Sequence, residues 1–393
     1  MRGSGTGFLK NRQMLKTELA DYSTDIAGLS QALISQRQYT LALYADLPLP
    51  YWEPANFPYL KTVNPPLWEL AHIAWFAEFF CLRWRPEDIR GQRVASCLPG
   101  SDALFDSAAV AHAARWSNSY PSREACFDYM RRSLDRVLEA LGRSGEGARY
   151  PFQLAAAHED MHAEALVITL NSIGLPRPAI VPRLSPVNGV AYDIVFDGGE
   201  IVPGSSARAF RFDNEMTANV ASVAPFAISS RVVTEAEFSV FRQSDDYHDD
   251  RLWSNEGASW RRSLRVESAV TAATDDVAPA MHINFFQAEA WCRWAGRRLP
   301  TELEWEFAAT RSPVFAESAG RVWEWTASPF TGYPGFEPGP YKDYSVPWFG
   351  NHQVLRGGSF ATHPRLRYPQ YRNFYTPDRG DMFCGFRTCA TAF

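Results

Sequence analysis

The chain has 393 residues, 46% hydrophobic and 21% charged, with a formal net charge of −5. That is long enough for two domains with separate cores. No basic run offers a nucleic-acid surface, and no uncharged stretch approaches the roughly 18 apolar residues that a membrane helix needs. Met1–Lys10 lacks the apolar core of a secretory signal. Cys81, Cys97, Cys126, Cys292, Cys384 and Cys389 are scattered without a C-x-x-C pair, which predicts free thiols and a cytoplasmic protein.

From about residue 15 to 175 the pattern is helical. Thr24 to Leu47 carries apolar residues at helical spacing behind a Ser23/Thr24 cap. Pro65-Pro66 opens a second helix, LWELAHIAWFAEFFCLRWR, as proline does in a first turn. A third is expected from about Ser122 to Leu141 and a fourth from Phe152 to Leu170. Four amphipathic helices suggest an antiparallel bundle, a common place for a metal site between facing helices. The helices end at Gly174, and LPRPAIVPRLSPVNG reads as a linker.

From about Ala191 helices become scarce. YDIVFDGG, IVPG and PFAISSRVV read as short strands between turns, and INFFQAEAWCRWAG as a helix ending on Gly296. After Thr310 the pattern is loops punctuated by aromatic residues; the whole chain holds 13 Trp, 16 Tyr and 26 Phe. Long loops in a compact domain are commonly functional.

The fourth helix holds His158 and His162, one turn apart and therefore on one face. Such a pair is half of a transition-metal site. The same letters, HEDMH, satisfy the zinc-protease pattern with Glu159 as base, though no H-x-x-G-x-x-H follows. Two ordinary histidines on an amphipathic helix are the plain alternative. His72, mid-helix among apolar and aromatic residues, is by itself an ordinary core histidine. In a bundle it can also face the pair, and three neutral imidazoles would leave up to three open positions on an octahedral Fe(II).

The second half resembles the formylglycine-generating-enzyme/sulfatase-modifying fold, a C-type-lectin-like domain. The resemblance rests on FRFDNE (210–215), PAMHINFFQAEAWCRWAGRRLPTELEWEFAA (279–309), RVWEWTASPF (321–330), VLRGGSF (354–360) and CGFRT (384–388). The first half resembles the DinB-type bundle on NPPLWELAHIAWF and HEDMHAE. In this order the two resemble the ergothioneine-type synthases, nonheme iron enzymes that use O2 to join sulfur to the imidazole C2 of hercynine (Nα-trimethylhistidine).

The resemblance implies an α+β chain, with a DinB-like four-helix bundle carrying the metal over 1–180 and the lectin-like domain over 190–393. It also implies Fe(II) on His72, His158 and His162, with O2 as co-substrate and the second domain as lid and substrate shelf. Formylglycine-generating enzymes hold copper on a cysteine pair in the C-terminal loops, but no cysteine lies between Cys292 and Cys384. Cys384 and Cys389, flanking GFR, are expected to be small buried thiols.

At the place of an Asn-Trp-Asp run that holds hercynine, this chain has Asn373-Phe374-Tyr375, an amide for the carboxylate and rings for the trimethylammonium cation. Tyr341 best matches the family's proton donor, with Tyr344 and Tyr333 as rivals. The sulfur-using synthases read HEQQHQE on the metal helix, so Met161 replaces a glutamine that approaches hercynine. The Arg-x-x-Arg pair that grips γ-glutamylcysteine has no clear counterpart near Arg115 and Arg123.

A donor without two carboxylates needs no such clamp. These departures look more like the selenoneine-synthase branch, whose donor is a selenosugar, with Arg115, Trp116 and Asn118 as candidates to hold it. The expected partners are thus hercynine and a selenosugar or thiol, with neither nucleic acid nor membrane. A DinB-type zinc hydrolase or thiol transferase, and a non-catalytic binding module, are the readings outside this class.

Overall fold

Residues 22, 25–204, 210–216, 219–264 and 277–391 are described by the computed structural model. Met1–Lys10 and the expected Ser23/Thr24 cap lie outside the described residues. Helix α1 spans Ile26–Leu43 and is capped by Asp25, whose carboxylate accepts from the Gly28 N–H at 2.7 Å. Helix α2 spans Pro66–Glu78, α3 spans Arg123–Gly142 behind a Ser122 cap, and α4 spans Tyr150–Ser172. In this first unit α2 packs on α3 and α4, and α1 packs on α4 and α3.

Every residue of α2 is buried, so this helix is not amphipathic as expected but apolar nearly all round, with no face left to solvent. It was expected to continue through Arg85. Instead a π-helical turn, Phe79–Arg83, ends it, and Arg83 turns onto Asp102 with two hydrogen bonds of 2.7 Å. After α4, Gly174 adopts φ 75° and the Leu175 N–H reaches back to the Leu170 carbonyl at 2.9 Å, satisfying a helix-end acceptor. The unit comprises Met1–Ile180 together with Ala207–Phe210 and the late segment His363–Leu366.

The second unit comprises Val181–Ser206, Arg211–Thr362 and Arg367–Phe393. Its strands are β1 Asp193–Phe196, β2 Gly199–Ile201, β3 Ala221–Val223, β4 Phe226–Ser229, β5 Arg297–Arg298, β6 Trp323–Pro329, β7 Gln353–Arg356, β8 Asn373–Tyr375, β9 Cys384–Phe386 and β10 Cys389–Ala390. They form an antiparallel sheet β1-β4-β10-β5, a pair β2-β3, and a sheet β8-β7-β6-β9 in which β6 and β9 run parallel. Trp305, Phe307, Phe226, Ile228 and Phe315 pack into one core.

Two expectations are corrected here. Helices are not scarce: besides Phe285–Trp294, the unit has α-helices at Glu235–Arg242, Asn255–Ser263, Glu302–Arg311 and Pro313–Ser318. Each starts on a Ser or Thr whose side chain accepts from the first turn, with capping boxes at Thr234/Glu237 and Thr301/Glu304. The region after Thr310, read as loops, supplies a whole sheet. Its strands are short and take their partners from far along the chain, so no alternating pattern marks them.

The phrases that carried the resemblance are largely architectural. Arg387 and Glu324 are both fully buried and paired at 2.9 Å. Arg356 and Arg372 each meet Glu302 at 2.8 Å. Such pairs hold a fold because losing one partner strands a buried charge, at about 3–5 kcal/mol. After Arg356, Gly357 and Gly358 adopt φ +93° and +81°, and a Cβ on Gly357 would lie 2.9 Å from the Trp305 ring. All six cysteines are free. Burial pushes the Cys384 thiol well above its usual range and Cys389 up to about 12, so neither resembles a metal thiolate. Among the described residues no helix is long and apolar enough to cross a membrane.

Candidate metal centre

Helix α4 presents His158 and His162 from one face because four residues advance about 400°, close to one full turn. Helix α2 brings His72 to the same point. The ring centroid of His72 lies 5.1 Å from that of His158 and 5.0 Å from that of His162. One ligand nitrogen from each falls within 4.8 Å of the others, the arrangement of a three-histidine site among the described residues. The Nε2 atoms of His158 and His162 are 3.1 Å apart. Two donors at right angles on an ion with bonds near 2.1 Å would stand about 3 Å apart.

The tautomers suit a cation. His72 Nδ1 sits 2.7 Å from the Phe105 carbonyl, an acceptor only, so Nδ1 carries the proton and Nε2 keeps its lone pair. His162 Nδ1 sits 2.7 Å from Glu69 Oε1, which likewise frees its Nε2. This is the usual support for a metal-binding imidazole. Burial, followed by the proximity of His162, holds the imidazoles of His72 and His158 well below the usual histidine range. They are therefore neutral at pH 7, as ligands must be. These residues can hold a divalent transition-metal ion.

Aromatic rings fix the imidazole planes. Trp68 and Trp75, one turn either way along α2, stack with His72 at 4.8 Å and 5.8 Å, and Phe76 stacks on His158 at 3.5 Å. The other acidic residues of HEDMH turn away. Glu159 forms a bidentate pair with Arg37 at 2.8 Å and 3.1 Å, which removes it as the base of an H-E-x-x-H protease. Asp160, fully buried, accepts from Tyr22 at 2.6 Å and from Arg365 twice at 2.8 Å.

Met161 lies half-buried on α4 between the two histidines. Arg115 stacks over Trp68 with its guanidinium carbon 3.9 Å from the ring centroid and donates to Asn64 Oδ1 at 2.6 Å. Trp116 donates to the Phe57 carbonyl at 2.9 Å. In the second unit Asn373, Phe374 and Tyr375 form the edge strand β8, all half-buried. Phe374 stacks on Phe330 at 3.9 Å and meets Tyr344 at 5.7 Å, and Tyr344 meets Tyr341 at 5.8 Å. The structure thus joins Tyr341 and Phe374 in one aromatic cluster. Tyr333 is set apart: its hydroxyl donates to Glu302 at 3.0 Å in the buried arginine network, so it is structural.

Sequence reasoning missed Glu69, although E-x-x-H on α2 is a readable signal, three residues being nearly one turn. It also missed Asn64, the Phe105 carbonyl and Arg365, which no local spacing reveals.

A helical bundle with three converging imidazoles, followed by an irregular sheet domain built on buried Arg–Glu pairs, defines a two-part class. Residues 32–167 match the DinB superfamily, and residues 181–317 and 314–392 match the sulfatase-modifying factor enzyme 1-like domain. The chain is 30% identical to a hercynine oxygenase of Mycolicibacterium smegmatis, over 84% of this chain and 91% of that protein. It is 31% identical to that of Mycobacterium tuberculosis, over the same shares. A formylglycine-generating enzyme of Streptomyces coelicolor is 26% identical over 55% of this chain and 92% of its own length. The chain belongs to the ergothioneine-type family that includes these hercynine oxygenases.

Proposed function

We propose that the protein is a nonheme Fe(II), O2-dependent synthase forming a carbon–chalcogen bond at the imidazole C2 of hercynine. The favoured donor is a selenosugar, giving a C–Se bond; the alternative is cysteine or γ-glutamylcysteine, giving a C–S bond. The convergence of His72, His158 and His162 in a chain related along most of its length to hercynine oxygenases carries the reading. Iron held by these three would keep positions for both substrates and activate O2.

Replacing C2–H and Se–H by C–Se releases two protons and two electrons, which O2 accepts to give hydrogen peroxide. A four-electron use of O2 leaves one oxygen on the chalcogen and the other in water. The chain's own groups hold and dock. Asn373 would bind the carboxylate of hercynine, and Phe374 and Tyr375 its cation, at roughly 0.5–2 kcal/mol per ring. Met161 offers the imidazole an apolar neighbour where the sulfur-using relatives have an amide. Trp116 would contact the donor, and Tyr341 would move the proton. Six free thiols support a cytoplasmic enzyme.

The test is anaerobic reconstitution with Fe(II), hercynine and one of three donors (1-seleno-β-D-glucose, cysteine or γ-glutamylcysteine), then admission of air and product mass analysis. A selenium-bearing adduct formed fastest with the selenosugar supports the favoured donor; a sulfur adduct alone supports the alternative. Turnover with bound zinc and no need for O2 would replace the proposal with a DinB-type hydrolase or thiol transferase.

A further inference from the structure

Two routes run from one side chain to two of the three imidazoles. Arg115 lies in the short turn His112–Trp116, in the stretch that would supply a clamp for a donor carboxylate. Its guanidinium instead covers the Trp68 ring at 3.9 Å, and that ring stacks on His72 at 4.8 Å with the planes 8° apart. Its second route is a hydrogen-bond chain. Arg115 donates to Asn64 Oδ1 at 2.6 Å, Asn64 Nδ2 donates to Glu69 Oε2 at 2.8 Å, and Glu69 Oε1 faces His162 Nδ1 at 2.7 Å.

The chain has a direction because arginine can only donate. A donor at Asn64 forces the amide oxygen towards Arg115 and the amide nitrogen towards Glu69. The Glu69 carboxylate, an acceptor only, accepts from the Nδ1–H of His162 and leaves Nε2 as the ligand atom. Further Arg115 donors point to the carbonyls of Ser107 and Val110, at 3.3 Å and 3.4 Å.

We infer that Arg115 is a positioning residue for the metal ligands and not a clamp for a substrate carboxylate. Through Asn64 it holds Glu69, the carboxylate that sets the tautomer of His162, and through Trp68 it steadies the plane of His72. The inference rests on the metal reading above and deepens it.

Co(II) is the probe, because its visible absorption reports both occupancy and ligand geometry without turnover. Wild type, Arg115→Met, Arg115→Lys and Asn64→Leu are titrated with it, and KM for each donor is measured at saturating Fe(II). Loss of a group that supports a ligand weakens metal affinity roughly 10–100-fold. Arg115→Met is expected in that range with shifted bands and unchanged KM. Arg115→Lys is expected in between, since it keeps a donor but loses the planar fork. Asn64 is half-buried, and its loss leaves the Trp68 stack intact, so Asn64→Leu decides the matter should Arg115→Met fail to fold.

Wild-type affinity and spectrum in Arg115→Met and Asn64→Leu would overturn the inference. A tenfold rise in KM for γ-glutamylcysteine alone would do the same and restore the clamp. Absence of a Co(II) spectrum in the wild type would instead remove the metal reading itself, and the inference with it.

Discussion

Glu69→Gln asks how much one buried carboxylate contributes to the metal centre. The side chain of Glu69 is 3% exposed and accepts from His162 Nδ1 at 2.7 Å and Asn64 Nδ2 at 2.8 Å. Glutamine has almost the same shape, but offers one acceptor and one donor where the carboxylate offers two acceptors. If its oxygen keeps His162, its amide group faces the Asn64 amide, donor against donor. Asn64 can escape only by flipping, which turns its own donor towards Arg115.

A hydrogen bond to a charged group is worth about 1.5–3 kcal/mol, and about 1.4 kcal/mol is a tenfold change in affinity. The replacement should therefore weaken binding of Fe(II) or Co(II) by roughly tenfold, and Glu69→Leu by closer to 100-fold. Competition against a chelator of known affinity measures this on the folded protein. Binding within twofold of wild type in both variants would refute the view that the carboxylate orients His162.

Four further outcomes are expected. Arg365→Met leaves Asp160, which is 0% exposed, without its cation; the loss should be about 3–5 kcal/mol in urea unfolding, partly recovered in Arg365→Met/Asp160→Asn. Burial raises the Glu215 carboxyl from its ordinary 4.5 to about 8 despite the Tyr368 hydroxyl at 2.9 Å. The folded state then holds a proton that the unfolded chain has lost, so this contribution is complete below about pH 4.5 and fades as pH rises to about 8. It is worth on the order of 4–5 kcal/mol, and denaturation at a series of pH values should show the slope, flattened in Glu215→Gln. Tyr341→Phe should lower product formation roughly 100-fold with metal affinity intact. Tyr333→Phe should cost about 1 kcal/mol of stability by loosening the Glu302 network, with little effect on rate.

What was legible in the sequence was local. His158 and His162 declare themselves by helical spacing, and Ser122 and Pro66 mark helix starts through chemistry confined to one turn. His72 is silent by itself; only the resemblance of its surroundings to a known bundle singled it out. Long-range pairing was illegible. Nothing local pairs Arg387, Arg356 and Arg372 with Glu324 and Glu302, which lie far along the chain from them, and β7 lacks alternation because Val354, Leu355 and Arg356 are all buried. The ligand support divides in the same way: Glu69 lies three residues from His72, whereas the Phe105 carbonyl that fixes the His72 tautomer is 33 residues away.

The segment His363–Leu366 carries a consequence for dissecting the molecule. It belongs with the helices although it lies almost two hundred residues beyond them, and its Arg365 also donates to Gln36 on α1 at 2.8 Å. A clone stopped at residue 180 would encode all three histidines yet omit the guanidinium paired with Asp160 on α4. The halves are therefore not interchangeable parts: grafting this bundle onto another carrier would require the tetrapeptide to be grafted with it.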